Sequence, residues 1–404
     1  PLGPPGLRRE AAPPQAMTTA GDVDQGGLEA VSRIDRVPSL TGIRAVAALL
    51  VVGTHAAYTT GKYTHGFVGL VYSRMEIGVP IFFALSGYLL FGPWVKSAAA
   101  GTDSPSLKRY ARNRVRRIMP AYVVTVLLAY VVYHFRDGGP NPGHTWWGLF
   151  RNLTLTQIYT DNYGYALLHQ GLPQMWSLAV EVAFYVALPP LAYLLMVTLC
   201  KRQWRPGLLL AGLGGLFVLS QGWIVLVHIT DFLPDGAKLW LPGYLGWFIG
   251  GMMLTVLAAM GVRVYGFVAV PLALICYLIV CTPIAGEPQT SPTGLMQAVV
   301  KMVFYAVIAT LLIAPLALGD SGTARRPADG GWYSRLLASR PMVWLGEISY
   351  EIFLVHLVLM EVAMTEVLHW MVYTGNTAGL FVVTMALTIP VAWLLHRFTR
   401  LRNH

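Results

Sequence analysis

The chain has 404 residues, of which 55% are hydrophobic and only 12% charged, and its mean hydropathy is +0.55. That balance excludes an ordinary string of soluble domains, and the apolar residues come in blocks near the roughly 20 needed to cross a hydrocarbon core about 30 Å thick. Cys200, Cys276 and Cys281 form neither an even framework nor a C-x-x-C pair, which argues against a disulfide scaffold and a zinc site.

Residues 1–25 are rich in Pro, Gly and Ala and lack the apolar core of a signal peptide, so a disordered N-terminal tail is expected over 1–35. Ten candidate spans follow, at 40–58, 77–95, 119–135, 174–199, 207–229, 239–260, 264–283, 294–318, 343–371 and 378–396. The predicted fold class is therefore all-α, a polytopic membrane bundle filling residues 36–397, with a short tail at 398–404. With the N-terminus in the cytoplasm, 22 of the 29 Lys and Arg residues fall in inner segments and five in outer ones. Basic residues accumulate on the cytoplasmic side, so both termini are expected there, and the net charge of +10 reports topology rather than nucleic-acid binding. The longest outer segment, 136–173, carries Trp146, Trp147, Tyr159 and Tyr163, which suit short interfacial helices.

Six basic residues crowd the inner stretch S-L-K-R-Y-A-R-N-R-V-R-R-I-M-P, residues 106–120. At helical spacing Arg109, Arg112 and Arg116 share a face. Two readings stay open for them, a helix lying on anionic headgroups and a cradle for a polyphosphate ligand.

Ionisable groups at membrane depth need a partner, a wet cavity or a function. Arg44 and His55 lie eleven residues apart in the first span, so they point to one side and are separated by about 16 Å along the axis. Glu181 sits about two turns into the fourth span, at a depth expected to match His55, where a carboxylate would raise imidazole basicity and fix its tautomer. Ser177 and Tyr185, one turn to either side, extend a polar stripe. The ninth span carries Glu347, Tyr350, Glu351, His356 and Glu361, with Lys301 of the eighth expected to pair with one of these acids. His356 and, at the mouth of the second span, Glu76 are candidates for lining a substrate cavity. Each of these groups also has a purely structural reading as a helix-bridging hydrogen bond.

Five stretches carry a resemblance: S-L-T-G-I-R-A-V-A-A-L-L-V-V-G-T-H (39–55), I-G-V-P-I-F-F-A-L-S-G-Y-L-L (77–90), R-N-R-V-R-R-I-M-P-A-Y (112–122), M-W-S-L-A-V-E-V-A-F-Y (175–185) and L-G-E-I-S-Y-E-I-F-L-V-H (345–356). Together they resemble the acyltransferase-3 family of membrane O-acyltransferases. The resemblance implies ten core helices in the cell membrane and a cytosolic acyl-CoA donor, most often acetyl-CoA, with no metal. It also implies an outer-side hydroxyl acceptor on an envelope glycan or glycolipid, for which a lipid-linked sugar such as a trehalose mycolate would suit. Catalytic roles pass by resemblance to His55 and Glu181, and CoA binding to Arg44, Arg112, Arg116 and Arg117. Pro80 and Val182 replace acids found in many members, which puts any role of those two acids in doubt here. The rival readings are a proton-coupled transporter or flippase and a non-catalytic scaffold; the basic stretch 106–120 speaks against the carrier, which has no use for a CoA site.

Overall fold

The computed structural model describes residues 37–64, 66–136, 139–288, 294–319 and 331–400, and within them every regular element is helical. The expected tail at 1–35, the inner residues around Arg325 and the end at 401–404 lie outside the described residues.

Helix α1 (Pro38–Thr59) opens with a proline, whose fixed φ and missing N–H cost nothing in a first turn. After α2 (Gly66–Arg74), α3 (Gly78–Ala100) stops at Gly101, which takes the left-handed φ of +66° of a helix C-cap. α4 (Leu107–His134) starts where the Ser106 hydroxyl accepts the Arg109 N–H. Two short helices follow, α5 (Trp146–Leu153), capped by Thr145, and α6 (Tyr163–Ala166). The remaining elements are α7 (Met175–Tyr193), α8 (Pro206–Ile229), α9 (Leu241–Ala259), α10 (Gly266–Val280), α11 (Leu295–Ala317), α12 (Trp332–Leu337), α13 (Arg340–Glu347), α14 (Ser349–Val362) and α15 (Thr377–Arg400).

Eight helices among the described residues are long and apolar enough to cross a membrane, and a ninth crossing results if α13 and α14 count together. The chain is a polytopic helical membrane bundle. Three expectations need refinement. The seventh span, α10, has 15 residues, about 22 Å at 1.5 Å per residue, short of a full hydrocarbon core. The ninth is broken, with α13 and α14 meeting at 69°. The basic stretch and the third span are one continuous helix, α4, with Pro120 inside it on an exposed face.

α1 packs against α3, α13, α14 and α15, which makes it the central strut of one half of the bundle. In the other half α3 crosses α9 with almost no gap. A Cβ on Gly251 would lie 1.7 Å from the Ala84 carbonyl oxygen, and one on Gly87 would lie 2.1 Å from that of Phe248. Small residues let backbones approach this closely where lipid gives no hydrophobic drive to associate. Beside this crossing Phe248 is sandwiched between Phe83 and Phe184, at 4.3 and 4.0 Å between ring centroids.

Gly251→Val is therefore expected to cost at least the roughly 1–3 kcal/mol of overpacking. Gly222→Val on α8, where an added Cβ meets nothing within 4 Å, serves as control. Thermal unfolding in detergent should show a lowered midpoint for the first variant alone; equal midpoints would contradict the close crossing.

Candidate active site

His55 lies in the last turns of α1, and its Nδ1 is 3.1 Å from Nε2 of His356 on α14. The rings are tilted by 37° with centroids 5.1 Å apart. His356 is fully buried, and its Nδ1 faces two backbone carbonyls one turn back, Phe353 O at 2.8 Å and Ile352 O at 3.2 Å. Carbonyls only accept, so this network assigns the His356 proton to Nδ1 and leaves Nε2 as acceptor. His55 must then donate from Nδ1, and its own Nε2 keeps the lone pair. An imidazole with that lone pair is poised to take a proton.

Around His55 the polar groups are tightly coupled. Thr54 bonds the Tyr63 hydroxyl, and Glu76 lies within electrostatic range of the His55 ring. Glu76 in turn meets Lys301 Nζ at 2.5 Å and accepts from the Tyr305 hydroxyl at 2.9 Å. Lys301 thus pairs with Glu76 rather than with an acid of the ninth span. Those acids go elsewhere: Glu351 to His396 at 3.1 Å and Glu361 to the Tyr133 hydroxyl, while Glu347 is exposed. Tyr350 donates to the Ile118 carbonyl at 3.0 Å.

Glu181 is not beside His55. The start of α7 does reach α14, since Gln174 Nε2 donates to Leu354 O at 3.0 Å, but Glu181 comes seven residues later, about 10 Å along the axis. There its Oε1 accepts from Ser86 and from Tyr185, each at 2.6 Å. Arg114 lies within electrostatic range of Glu181 and Tyr185, and Arg117 within range of Tyr185. The expected pairing of Glu181 with His55 is therefore replaced by two clusters. One is an imidazole pair toward the C-terminal end of α1, and the other a carboxylate toward the N-terminal end of α4. Ser177, expected on the polar stripe, spends its hydroxyl on the Gln174 carbonyl at 3.1 Å and is buried.

Of the arginines singled out in sequence, Arg112, Arg116 and Arg117 are exposed and Arg44 is half-buried. Arg114 was missed, although it is the one that turns inward, and its buried Nε has no hydrogen-bond partner. The signal for it was present. Tyr110, Arg114 and Ile118 are spaced by four, and the stripe continues through the buried Tyr122, Val126, Ala129 and Tyr133. Apolar periodicity marks the packed face, whereas selecting by charge finds the wet one.

A model of the acyltransferase domain family matches residues 37–397. The chain is similar to the peptidoglycan O-acetyltransferase OatA of Listeria monocytogenes, at 27% identity over 90% of this chain and 55% of that protein. It is also similar to the acyltransferase MdmB of Streptomyces mycarofaciens, at 27% over 90% of each. A third relative is the putative peptidoglycan O-acetyltransferase YrhL of Bacillus subtilis, at 26% over 79% of this chain and 48% of that protein. The chain thus spans about half the length of the two peptidoglycan relatives. No solved structure matches. With that family model covering nearly all of the bundle, the chain belongs to the acyltransferase-3 family.

Proposed function

We propose that this protein is a membrane O-acetyltransferase that moves an acetyl group from cytosolic acyl-CoA to a hydroxyl of an envelope carbohydrate or glycolipid, with residues 36–397 as the catalytic domain and both termini in the cytoplasm. The observation that carries the reading is the His55–His356 pair, whose geometry leaves the His55 Nε2 lone pair available. Family membership and the similarity to peptidoglycan O-acetyltransferases support acyl transfer over a carrier. The distribution of basic residues supports the orientation, with the α4 arginines facing the cytoplasm and His55 near the opposite face.

In this mechanism His55 Nε2 takes the proton of the acceptor hydroxyl as its oxygen attacks the thioester carbonyl carbon. The carbon–sulfur bond then breaks, and the sulfur leaves with the proton returned by His55. His356 accepts the Nδ1–H throughout and thereby holds the required tautomer, the part that a carboxylate plays beside many catalytic histidines. Glu76 offsets the positive charge that His55 carries between the two transfers. Transfer is direct, with no acyl group passing to the protein.

The donor residues follow from charge. An arginine whose buried Nε lacks an acceptor suits a phosphate or carbonyl oxygen, and the exposed Arg112, Arg116 and Arg117 supply further cations at the same end. Arg44, nearly two turns into α1, extends that path inward toward His55. Glu181, held by Ser86 and Tyr185, orients the inward side of this cluster and belongs to the donor side of the site. The acceptor is read as a neutral or lipid-linked sugar, a trehalose mycolate among them.

His55→Ala is expected to lower acetyl transfer by roughly 10²–10⁴-fold. His356→Ala should lose the hydrogen bond that steadies a charged ring, about 1.5–3 kcal/mol or roughly 10- to 100-fold in kcat. His356→Gln, which restores an acceptor, should recover part of that loss. Rates are measured with radiolabelled acetyl-CoA and envelope extract on protein shown to be folded; near wild-type transfer by His55→Ala would end the reading. On the donor side, CoA is expected to raise the thermal midpoint of the wild type. Arg114→Ala should raise the KM for acetyl-CoA roughly 10- to 100-fold, against less than about fivefold for the exposed Arg112→Ala. A midpoint insensitive to CoA would remove the donor assignment.

A further inference from the structure

Between α4 and α7, on the side of the bundle where α1 ends, a cavity of about 520 Å3 is lined by Pro140, Asn141, Pro142, Tyr165, Leu168 and Gln170. That volume falls within the roughly 300–1,000 Å3 typical of small-ligand sites. None of its lining side chains is charged, which disfavours phosphate, carboxylate and ammonium ligands. What the walls offer instead is flat apolar surface and amides. Tyr165 is 85% exposed, two prolines form an unbending rim, and the side chains of Asn141 and Gln170 supply polar groups. An aromatic face beside amides matches a sugar ring, which presents C–H groups on its face and hydroxyls at its edge.

The cavity is framed by hydrogen bonds across it. The Gln170 N–H donates to Asn141 Oδ1 at 3.1 Å, Gln170 Nε2 to the Pro140 carbonyl at 2.8 Å, and the Gly143 N–H to the Leu168 carbonyl at 3.0 Å. The same wall is tied to the imidazole pair. His169, between Leu168 and Gln170, is 1% exposed and packs on Tyr130 and Tyr133 of α4. Burial and the neighbouring His144 push its pKa down to about 3, so the ring is neutral. The Gly171 N–H donates to its Nδ1 at 3.2 Å, which leaves Nε2 to donate to His144 Nδ1 at 3.1 Å. Gly171 itself sits against Val358, two residues past His356 on α14.

We propose that this cavity is a binding subsite for an uncharged saccharide, the sugar ring stacked on Tyr165 with its hydroxyls at the Asn141 and Gln170 amides. The inference rests on the reading that the acceptor is a carbohydrate, and it locates where on this chain that acceptor is held. The wall formed by residues 168–171 brings the bound sugar to the end of the bundle where His55 and His356 lie.

The test is saturation-transfer NMR with diacetylchitobiose as probe, on detergent-solubilised wild-type, Tyr165→Ala, Tyr165→Phe and His55→Ala proteins. Saturation of the sugar protons is expected for the wild type, Tyr165→Phe and His55→Ala, with a loss of about fivefold or more in Tyr165→Ala, in line with the worth of one aromatic face. Tyr165 is exposed, so its removal leaves the thermal midpoint unchanged. No saturation in the wild type, equal saturation in Tyr165→Ala, or displacement of the sugar by short-chain phosphatidylcholine overturns the proposal. Acetyl transfer measured on the same His55→Ala sample keeps the two readings apart: transfer retained with sugar still bound defeats the catalytic role of His55 and leaves the saccharide subsite standing.

Discussion

Polar groups withdrawn from water must satisfy one another inside the bundle, and the packing around α1 follows from that requirement. α14 shows it most clearly. Its Tyr350 and Glu361 are bonded by α4, its Glu351 by α15 and its His356 by α1. A helix tied to three neighbours through polar side chains has little freedom to rotate. The His356 ring is consequently fixed in place, and with it the direction in which His55 presents its free nitrogen.

Two polar centres result, separated along the axes of the helices. The imidazole pair and Glu76 sit toward one face, and Glu181, Ser86, Tyr185 and Arg114 toward the other. In the proposed mechanism they divide the work, with proton transfer at the first and donor placement at the second. The division has a chemical logic. A carboxylate hydrogen-bonded to His55 would strengthen it as a base and weaken it as an acid, whereas a neutral histidine partner fixes the tautomer and leaves the proton easier to return.

Much of this arrangement was legible in the sequence. Unbroken apolar blocks gave the helical membrane bundle, because nothing else accommodates them, and the Arg44 to His55 spacing put both residues on one side of one helix. Partner choice was not legible. Depth counted along α7 gave Glu181 the level of His55, but depth along separate helices says nothing of tilt, and α7 meets α14 at Gln174, seven residues before Glu181. Lys301 was similarly matched with acids of the ninth span, when Glu76 is the one the bundle brings to it. The basic stretch at 106–120 and the span at 119–135 were read as separate elements, yet they form one helix with Pro120 inside it. Arg114 needed the apolar stripe of α4 to be traced backward into a basic stretch, where charge drew attention to the opposite face.

The unbroken course of α4 carries a mechanical corollary. Its 28 residues span about 42 Å, with Arg114 near one end and Tyr130 and Tyr133 near the other. A stiff rod of that length has few ways to move except by tilting about its middle, so a displacement of a few ångströms at the arginine end swings the tyrosine end in the opposite sense. Under the proposed mechanism, occupancy at the arginine end would reach the tyrosine end through this single helix, without a relay of side-chain rearrangements between them.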